Sequence, residues 1–122
     1  MERLLAARVR WIRAYLDGDV RSLDELEADE FSSTCRLGSQ VKKDQLEGIA
    51  SAVREGIWYI DGSSAHDIER SVQMIGNIAL LHGFIRTSGF GRLPPSVVFT
   101  EVWQDMGMHW RALRIHFSDA RR

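Results

Sequence analysis

The chain has little of what specialised scaffolds are built from. Its 122 residues contain one cysteine, Cys35, and two prolines, which excludes an internal disulfide and any proline-rich spacer. No apolar run reaches the roughly 20 residues that span a bilayer, and no secretory-signal pattern is present, so a cytoplasmic location is expected. Neither sign of charge is in excess. Sixteen basic residues face seventeen acidic ones, for a formal net charge of −1, and they are spread along the chain, so neither nucleic acid nor a membrane surface is an expected partner. No carboxylates or histidines show metal-ligand spacing and no glycine-rich phosphate loop occurs, so neither a metal nor a cofactor is expected. Repeats and low-complexity stretches are absent too; Pro94-Pro95, after Gly89-Phe90-Gly91, marks one loop between strands.

What is present is a 44% hydrophobic chain, enough for one core and too short for two ordinary domains, so residues 1–122 are expected to form a single domain. Leu5, Val9, Ile12 and Leu16 follow helical spacing, with Leu4, Trp11 and Tyr15 widening the stripe and Arg3, Arg10 and Arg13 left polar. A first helix should end at Gly18. A short second helix around Ser22 to Ala28, with Ser22 and Glu25 spaced as a capping box, would bury Leu23 and Leu26 and deliver Phe31 to the core. Asp44 and Glu47 repeat that spacing ahead of Leu46, Ile49, Ala50 and Val53, predicting a third helix that reaches about Glu55 and stops at Gly56. Three helices thus precede most of the sheet.

After Ile57 to Ile60 the pattern changes to strand alternation, and Gly76-Asn77 supplies a two-residue hairpin turn. Counting outward from it pairs Met74 with Ala79, Val72 with Leu81, Arg70 with Gly83 and Ile68 with Ile85 on a core face. Ser71 with His82, Glu69 with Phe84 and Asp67 with Arg86 then form the outer face. Arg70 is the anomaly of that core face, since a buried guanidinium needs water, a carboxylate or an anionic ligand. It is a candidate pocket anchor, with a salt bridge to an internal carboxylate as the plainer alternative. His66 would share its face and could act as acid or base.

Pro95 to Ser118 reads as two amphipathic strands around Asp105-Met106-Gly107-Met108, each with a tryptophan beside the turn. With Met106-Gly107 as the turn, Val98, Thr100, Val102, Leu113, Ile115 and Phe117 make the better core face. Val97, Phe99, Trp103, Trp110 and His116 are then left as an aromatic outer patch. A monomer would rarely leave that patch in water, so a homodimer is expected through Phe99, Trp103, Trp110 and His116. Helices followed by antiparallel strands give an α+β class, three N-terminal helices packed on a curved, mainly antiparallel sheet.

The T-x-V-W strand, the six-residue gap and the W-x-x-x-x-x-H-x-S strand resemble the closing hairpin of the NTF2-like superfamily. The resemblance is to its SnoaL-like and DUF4440 branches and to the calcium/calmodulin-dependent kinase II association domain. Asp17-Gly18-Asp19 resembles that superfamily's N-G-D turn, and Ala28-Asp29-Glu30-Phe31 its A-D-D-F. The resemblance implies a cone with an apolar pocket at one end, and dimers through the outer face. Counting from these turns, the positions that carry the oxyanion tyrosine, the aspartate base and the protonated aspartate of ketosteroid isomerases correspond to Trp11, Cys35 and Thr100. None of the three matches, which disfavours steroid isomerisation. Cys35 as a nucleophile would need a base, and His66 is the available one; as a buried thiol it is a small apolar residue. Epoxide hydrolysis of the limonene type would need an Asp-Arg-Asp arrangement, for which Asp67 faces the wrong way.

The expected function is small-molecule binding in the cone, extended to acid/base turnover of the SnoaL-like or ketosteroid-isomerase-like type with non-standard pocket residues. His66 and Arg70 are the catalytic candidates. Tyr15, Cys35, Trp58, Thr100 and Trp11 are the candidates for contacting an apolar or carbonyl- or carboxylate-bearing molecule. The alternative is a non-catalytic oligomerisation or accessory module, whose cone would be filled by side chains.

Overall fold

A computed structural model describes residues 1–35, 38–59, 63–88 and 96–119; the expected Gly89 to Pro95 loop and Ile60 lie outside them. The elements run α1 (Glu2–Asp17), α2 (Val20–Leu26), β1 (Glu27–Cys35), β2 (Gly38–Val41), α3 (Lys42–Arg54), β3 (Ser64–Ile75), β4 (Ile78–Ser88), β5 (Ser96–Asp105) and β6 (Trp110–Asp119). The strands form one six-stranded sheet in the order β2-β1-β6-β5-β4-β3. Every neighbouring pair is antiparallel except β1 with β6, which is parallel. The class is therefore α+β, with three helices and a mainly antiparallel sheet.

The helices obey local rules, with two corrections. α1 ends on Gly18 in the left-handed region, whose N–H returns to the carbonyls of Ala14 and Tyr15, a conformation that only glycine adopts cheaply. Its buried face is Leu4, Ala7, Arg8, Trp11, Ala14 and Leu16, and Val9 is 65% exposed. The stripe is thus rotated from the expected one and takes a charged residue inward. α2 is capped by Asp19, whose carboxylate accepts from the Ser22 backbone N–H at 3.1 Å and from its hydroxyl at 2.7 Å. Ser22 is therefore the third helical residue rather than the cap. α3 starts at Lys42 without a side-chain cap, two residues ahead of the expected Asp44. β1 and β2 form an antiparallel pair that the sequence reading missed, because Glu-Ala-Asp-Glu and Ser-Ser-Thr-Cys carry little strand patterning.

The core gathers Leu4, Trp11, Leu23, Leu26, Phe31, Ile49, Leu81, Ile85, Phe99, Trp103 and Ile115 between the helices and one face of the sheet. Two bulges decide which residues join it. In the β3–β4 hairpin the pairs from Ile75 with Ile78 to Glu69 with Phe84 follow the expected count, Arg70 opposite Gly83 included. Beyond Glu69 one residue is extra, so Asp67 lies opposite Ile85 and His66 opposite Arg86. Ile68 consequently faces solvent, Asp67 turns inward and His66 lies on the outer face, all three reversed from expectation. Gly83 is what permits this bulge: a Cβ there would lie 2.1 Å from the Glu69 carbonyl oxygen.

In the β5–β6 hairpin Asp105 pairs with Trp110 around a four-residue turn closed by the Met106 N–H to the His109 carbonyl, 2.8 Å. A second bulge at Leu113 follows, with Trp103 opposite Ala112 and Val102 opposite Arg114. Phe99 then faces Phe117, and Glu101 faces Ile115, on the inner side. Phe99, Trp103 and Trp110 are buried within the single chain, Trp103 completely. They cannot form an outer dimer patch as expected. Thr100 and His116 are cross-strand neighbours on the outer face.

Candidate functional site

At one end of the core a cavity of about 90 Å³ remains, walled by Trp11, Tyr15, Tyr59, Ile85, Phe99 and Phe117, with Glu101 as its one carboxylate. The walls come from α1, the stretch after α3, and β3 to β6, with Ala65 of β3 as a small residue in the lining. Large rings meeting across a closing sheet leave an apolar hollow that smaller side chains would collapse. Tyr15 is at its centre: its ring stacks on Trp11 at 5.1 Å and meets Trp58, Tyr59 and Phe117 at 5.3, 5.9 and 6.2 Å. Burial pushes the Tyr15 hydroxyl well above its ordinary pKa, so it remains a neutral hydrogen-bonding group at any physiological pH. Trp58 supports the wall from behind, donating its indole N–H to the Tyr15 carbonyl at 2.7 Å.

Beside the cavity lies a buried charge network that the sequence reading missed. Arg8, 2% exposed, donates Nε–H to both Glu101 oxygens at 2.9 Å and an Nη1 hydrogen to Asp67 Oδ2 at 2.7 Å. Its guanidinium lies 4.6 Å from the Phe99 ring centroid, a cation–π geometry. Glu101 also accepts the Trp103 indole N–H at 2.8 Å. Asp67 Oδ2 takes a second donor from Arg70 at 2.9 Å. Two arginines and two carboxylates thus form a neutral cluster in which Arg8 Nη2 and Asp67 Oδ1 are buried without partners. Burial raises the Glu101 pKa and the attraction of Arg8 opposes it. For Arg8, burial acts downward, but Glu101 and Asp67 outweigh it and hold the guanidinium charged.

A second buried carboxylate lies deeper. Glu27, 0% exposed, accepts the Trp11 indole N–H through Oε2 at 2.9 Å. Its Oε1 and both side-chain amide atoms of Gln45 have no partner. Burial lifts Glu27 to about 7, against the opposing pull of the Trp11 hydrogen bond.

Of the residues expected at the site, Trp11 and Tyr15 line the cavity, and Trp58 stands one layer out. Cys35 is half-buried at the end of β1 and outside the lining. Thr100 is exposed on the outer face beside His82 and His116, and the next residue, Glu101, takes the inward place expected of it. His66 is exposed on that same outer face. Arg70 lies at the edge and bridges to Asp67, the plainer of its two expected roles. The expected lack of an acid–arginine–acid arrangement is also corrected, since Asp67, Arg8 and Glu101 make one. Arg8 was legible in principle: it falls four residues after Leu4 and three before Trp11, on the buried stripe. Glu101 interrupts the alternating row Val97, Phe99, Trp103, whose inward facing is compatible with an inward Ile115 and Phe117 only once the extra residue at Leu113 is counted.

Among the described residues no helix is long and apolar enough to cross a membrane, and no group of three or more His, Cys, Asp or Glu could hold a metal. The sequence matches no family model and no curated protein. Solved structures are similar over nearly the whole chain. An NTF2-like protein from Cytophaga hutchinsonii has a TM-score of 0.80 at 16% identity over 96% of this chain and 95% of its own. A candidate dehydratase of the NTF2-like family from Streptomyces avermitilis has 0.78 at 17% over 99% and 96%. A candidate calcium/calmodulin-dependent kinase II association domain from Exiguobacterium sibiricum has 0.75 at 13% over 98% and 92%. The chain has the NTF2-like fold.

Two outcomes follow. Arg8→Ala strands two inward carboxylates and is expected to lower stability by about 3–5 kcal/mol. Arg70→Ala removes a half-exposed partner and is expected to cost about 1 kcal/mol or less in the same urea titrations. Glu27, with a folded pKa of about 7, binds its proton more tightly folded than unfolded. Its contribution is therefore greatest below the unfolded value, falls as pH rises through about 7, and amounts to about 3 kcal/mol across that window. Glu27→Gln keeps the acceptor for Trp11, so its stability should lose that slope and exceed the wild type at pH 8; an unchanged slope would refute the assignment.

Proposed function

We propose that the cavity binds a small, mainly apolar molecule whose polar group hydrogen-bonds to Glu101, with Glu101 able to exchange a proton with it. The observation that carries this reading is the single carboxylate in an otherwise aromatic and aliphatic lining. A carboxylate held on one side by Arg8 and Trp103 is fixed in orientation, which is what a positioned acid or base requires. The cavity, about 90 Å³, suits a ring-sized molecule and is well below the roughly 300 Å³ of a drug-sized site. Steroid-sized ligands do not fit this reading. Nor does a carboxylate ligand, because the facing group is itself an acid and Arg70 is engaged by Asp67. The candidate dehydratase among the similar structures is consistent with acid/base use of this fold, and the acid–arginine–acid cluster adds epoxides to the molecules worth trying.

The test is a thermal-shift series with cyclohexanol, cyclohexanone, benzylamine and cyclohexene oxide on the wild type, Glu101→Gln and the cavity-filling Ala65→Leu. A binder at ten times its Kd is expected to raise the wild-type melting temperature by about 5 °C. Both variants should lose most of that rise. If no compound moves the wild type, or Ala65→Leu responds equally, the cavity is not the site.

A second reading, as an assembly module, draws on the outer face of the sheet. Val98 is 41% exposed there, beside half-buried Phe84 and in a cross-strand row with Leu80 and Val102. The resemblance to a candidate kinase association domain supports pairing of two copies through this face, with His116 retained from the expected interface and the buried Phe99, Trp103 and Trp110 left out. Light scattering should give twice the chain mass for the wild type and the chain mass for Val98→Glu. A monomeric wild type would end this reading without touching the cavity.

A further inference from the structure

A second concavity, sharing no lining residue with the first, lies where β6 runs beyond its partner. β1 joins β6 at Glu27 opposite Ala112; upstream of that pair the chain turns into α2, and Trp110 and Arg111 have no β1 strand beside them. The start of α1 forms the facing wall of the resulting groove, about 400 Å³ in volume. That is the size of a small-molecule site.

Its chemistry is distinct from the rest of the surface. Arg3 and Arg10, seven residues apart, project from one flank of α1, and Ala6 and Ala7 between them are too small to fill the space. Arg111 and His109 approach from β6 and its turn, and Glu25 is the one acid in the lining. Arg8, Arg13, Lys42 and Arg70 each hold a carboxylate partner. Arg3, Arg10 and Arg111 hold none among the described residues, as is true of Arg21, Lys43, Arg54, Arg86 and Arg114, but these three line one hollow. The Nε–H of half-buried Arg111 is shut off from solvent and has no acceptor. An unmet buried donor is unfavourable, and three unpaired guanidiniums around one hollow repel each other. In a chain of net charge −1, this is a local arrangement that stability alone would not favour. One oxyanion relieves both, because guanidiniums donate in a fork matched to phosphate and carboxylate. Trp110 and Met108 add an apolar wall.

We propose that this groove binds a small organic anion, a phosphate or carboxylate group carried on an apolar body, with Arg111, Arg3 and Arg10 supplying the donors. The test is calorimetry and NMR titration of the whole chain with phenyl phosphate and with benzoate, at constant ionic strength and with sodium chloride as the control. The expected result is saturable binding of at least one, with shifts of the Arg111 Nε–H and Trp110 indole signals; the stronger of the two identifies the oxyanion. Arg3→Gln/Arg10→Gln, on exposed helix positions that do not endanger the fold, should weaken it about tenfold, the equivalent of one charge-assisted hydrogen bond. Arg86→Gln, on the outer face of β4, should leave it unchanged. Shifts no larger than those of chloride, or equal loss in both variants, would overturn the proposal. So would tighter binding of a tetraglutamate peptide than of either small anion, which would make the groove a protein-docking surface.

Discussion

The buried contact of Arg8 with Glu101 and Asp67 is the constraint around which the sheet is arranged. A guanidinium on the inward stripe of α1 cannot remain there alone, since removing an unpaired charge from water costs several kcal/mol. It requires acceptors from the sheet face it meets, and the two it finds come from different hairpins, Asp67 from β3 and Glu101 from β5. Asp67 is inward only because of the extra residue at Ile68; Glu101 lies in the unbroken inward row of β5, and the extra residue at Leu113 of β6 brings Ile115 and Phe117 onto that same face. Such a network adds little net stability over a well-packed apolar substitute. What it does is penalise every alternative register, because each leaves at least one buried charge unmatched.

This explains what the sequence made legible and what it did not. Helix periodicity, the Gly18 stop and the Gly76-Asn77 turn depend on a few consecutive residues, and the helices, the first hairpin count down to Glu69 and the α+β class followed from them. Bulges depend on something else. Ile68 is an apolar residue in an alternating run and carries no local sign that it will be squeezed outward; the sign is across the strand, in Gly83, the one residue that admits the Glu69 carbonyl. Leu113 is equally unremarkable. Because strand faces alternate with period two, each single extra residue exchanges inside and outside beyond it. That is why His66 moved outward and Asp67 inward, and why Ile115 and Phe117 share the core face with Phe99 and Trp103; a count without the bulge puts those two pairs on opposite faces.

The site was legible in its walls and not in its polar groups, for a related reason. Trp11 and Tyr15 lie on a helix, where geometry is regular, and they line the cavity as the helical stripe implies. Glu101 lies on a strand whose facing was misjudged, so the carboxylate at the cavity was read as a surface group and its neighbour Thr100 as the inward one. Arg8 shows a different limit: the stripe was drawn through apolar residues only, which hides a charge that the fold itself neutralises.

The two carboxylates at depth also divide the interior electrically. Glu101 is held by two donors, one of them the Arg8 cation, so its charge has compensation at hand. Glu27 has a single well-formed hydrogen bond, from the Trp11 indole, and otherwise only the nearby Gln45 amide and the Lys42 charge to oppose its burial. Burial raises both carboxyls, and the two differ in the partners that oppose the rise. The compensated acid is the one in the cavity wall, where a proton donor or acceptor of fixed orientation has a use. The less compensated one sits behind Trp11, where its carboxyl holds the indole that forms the cavity's inner wall. The fold thus puts its better-compensated acid where a ligand can reach it and the other where none can.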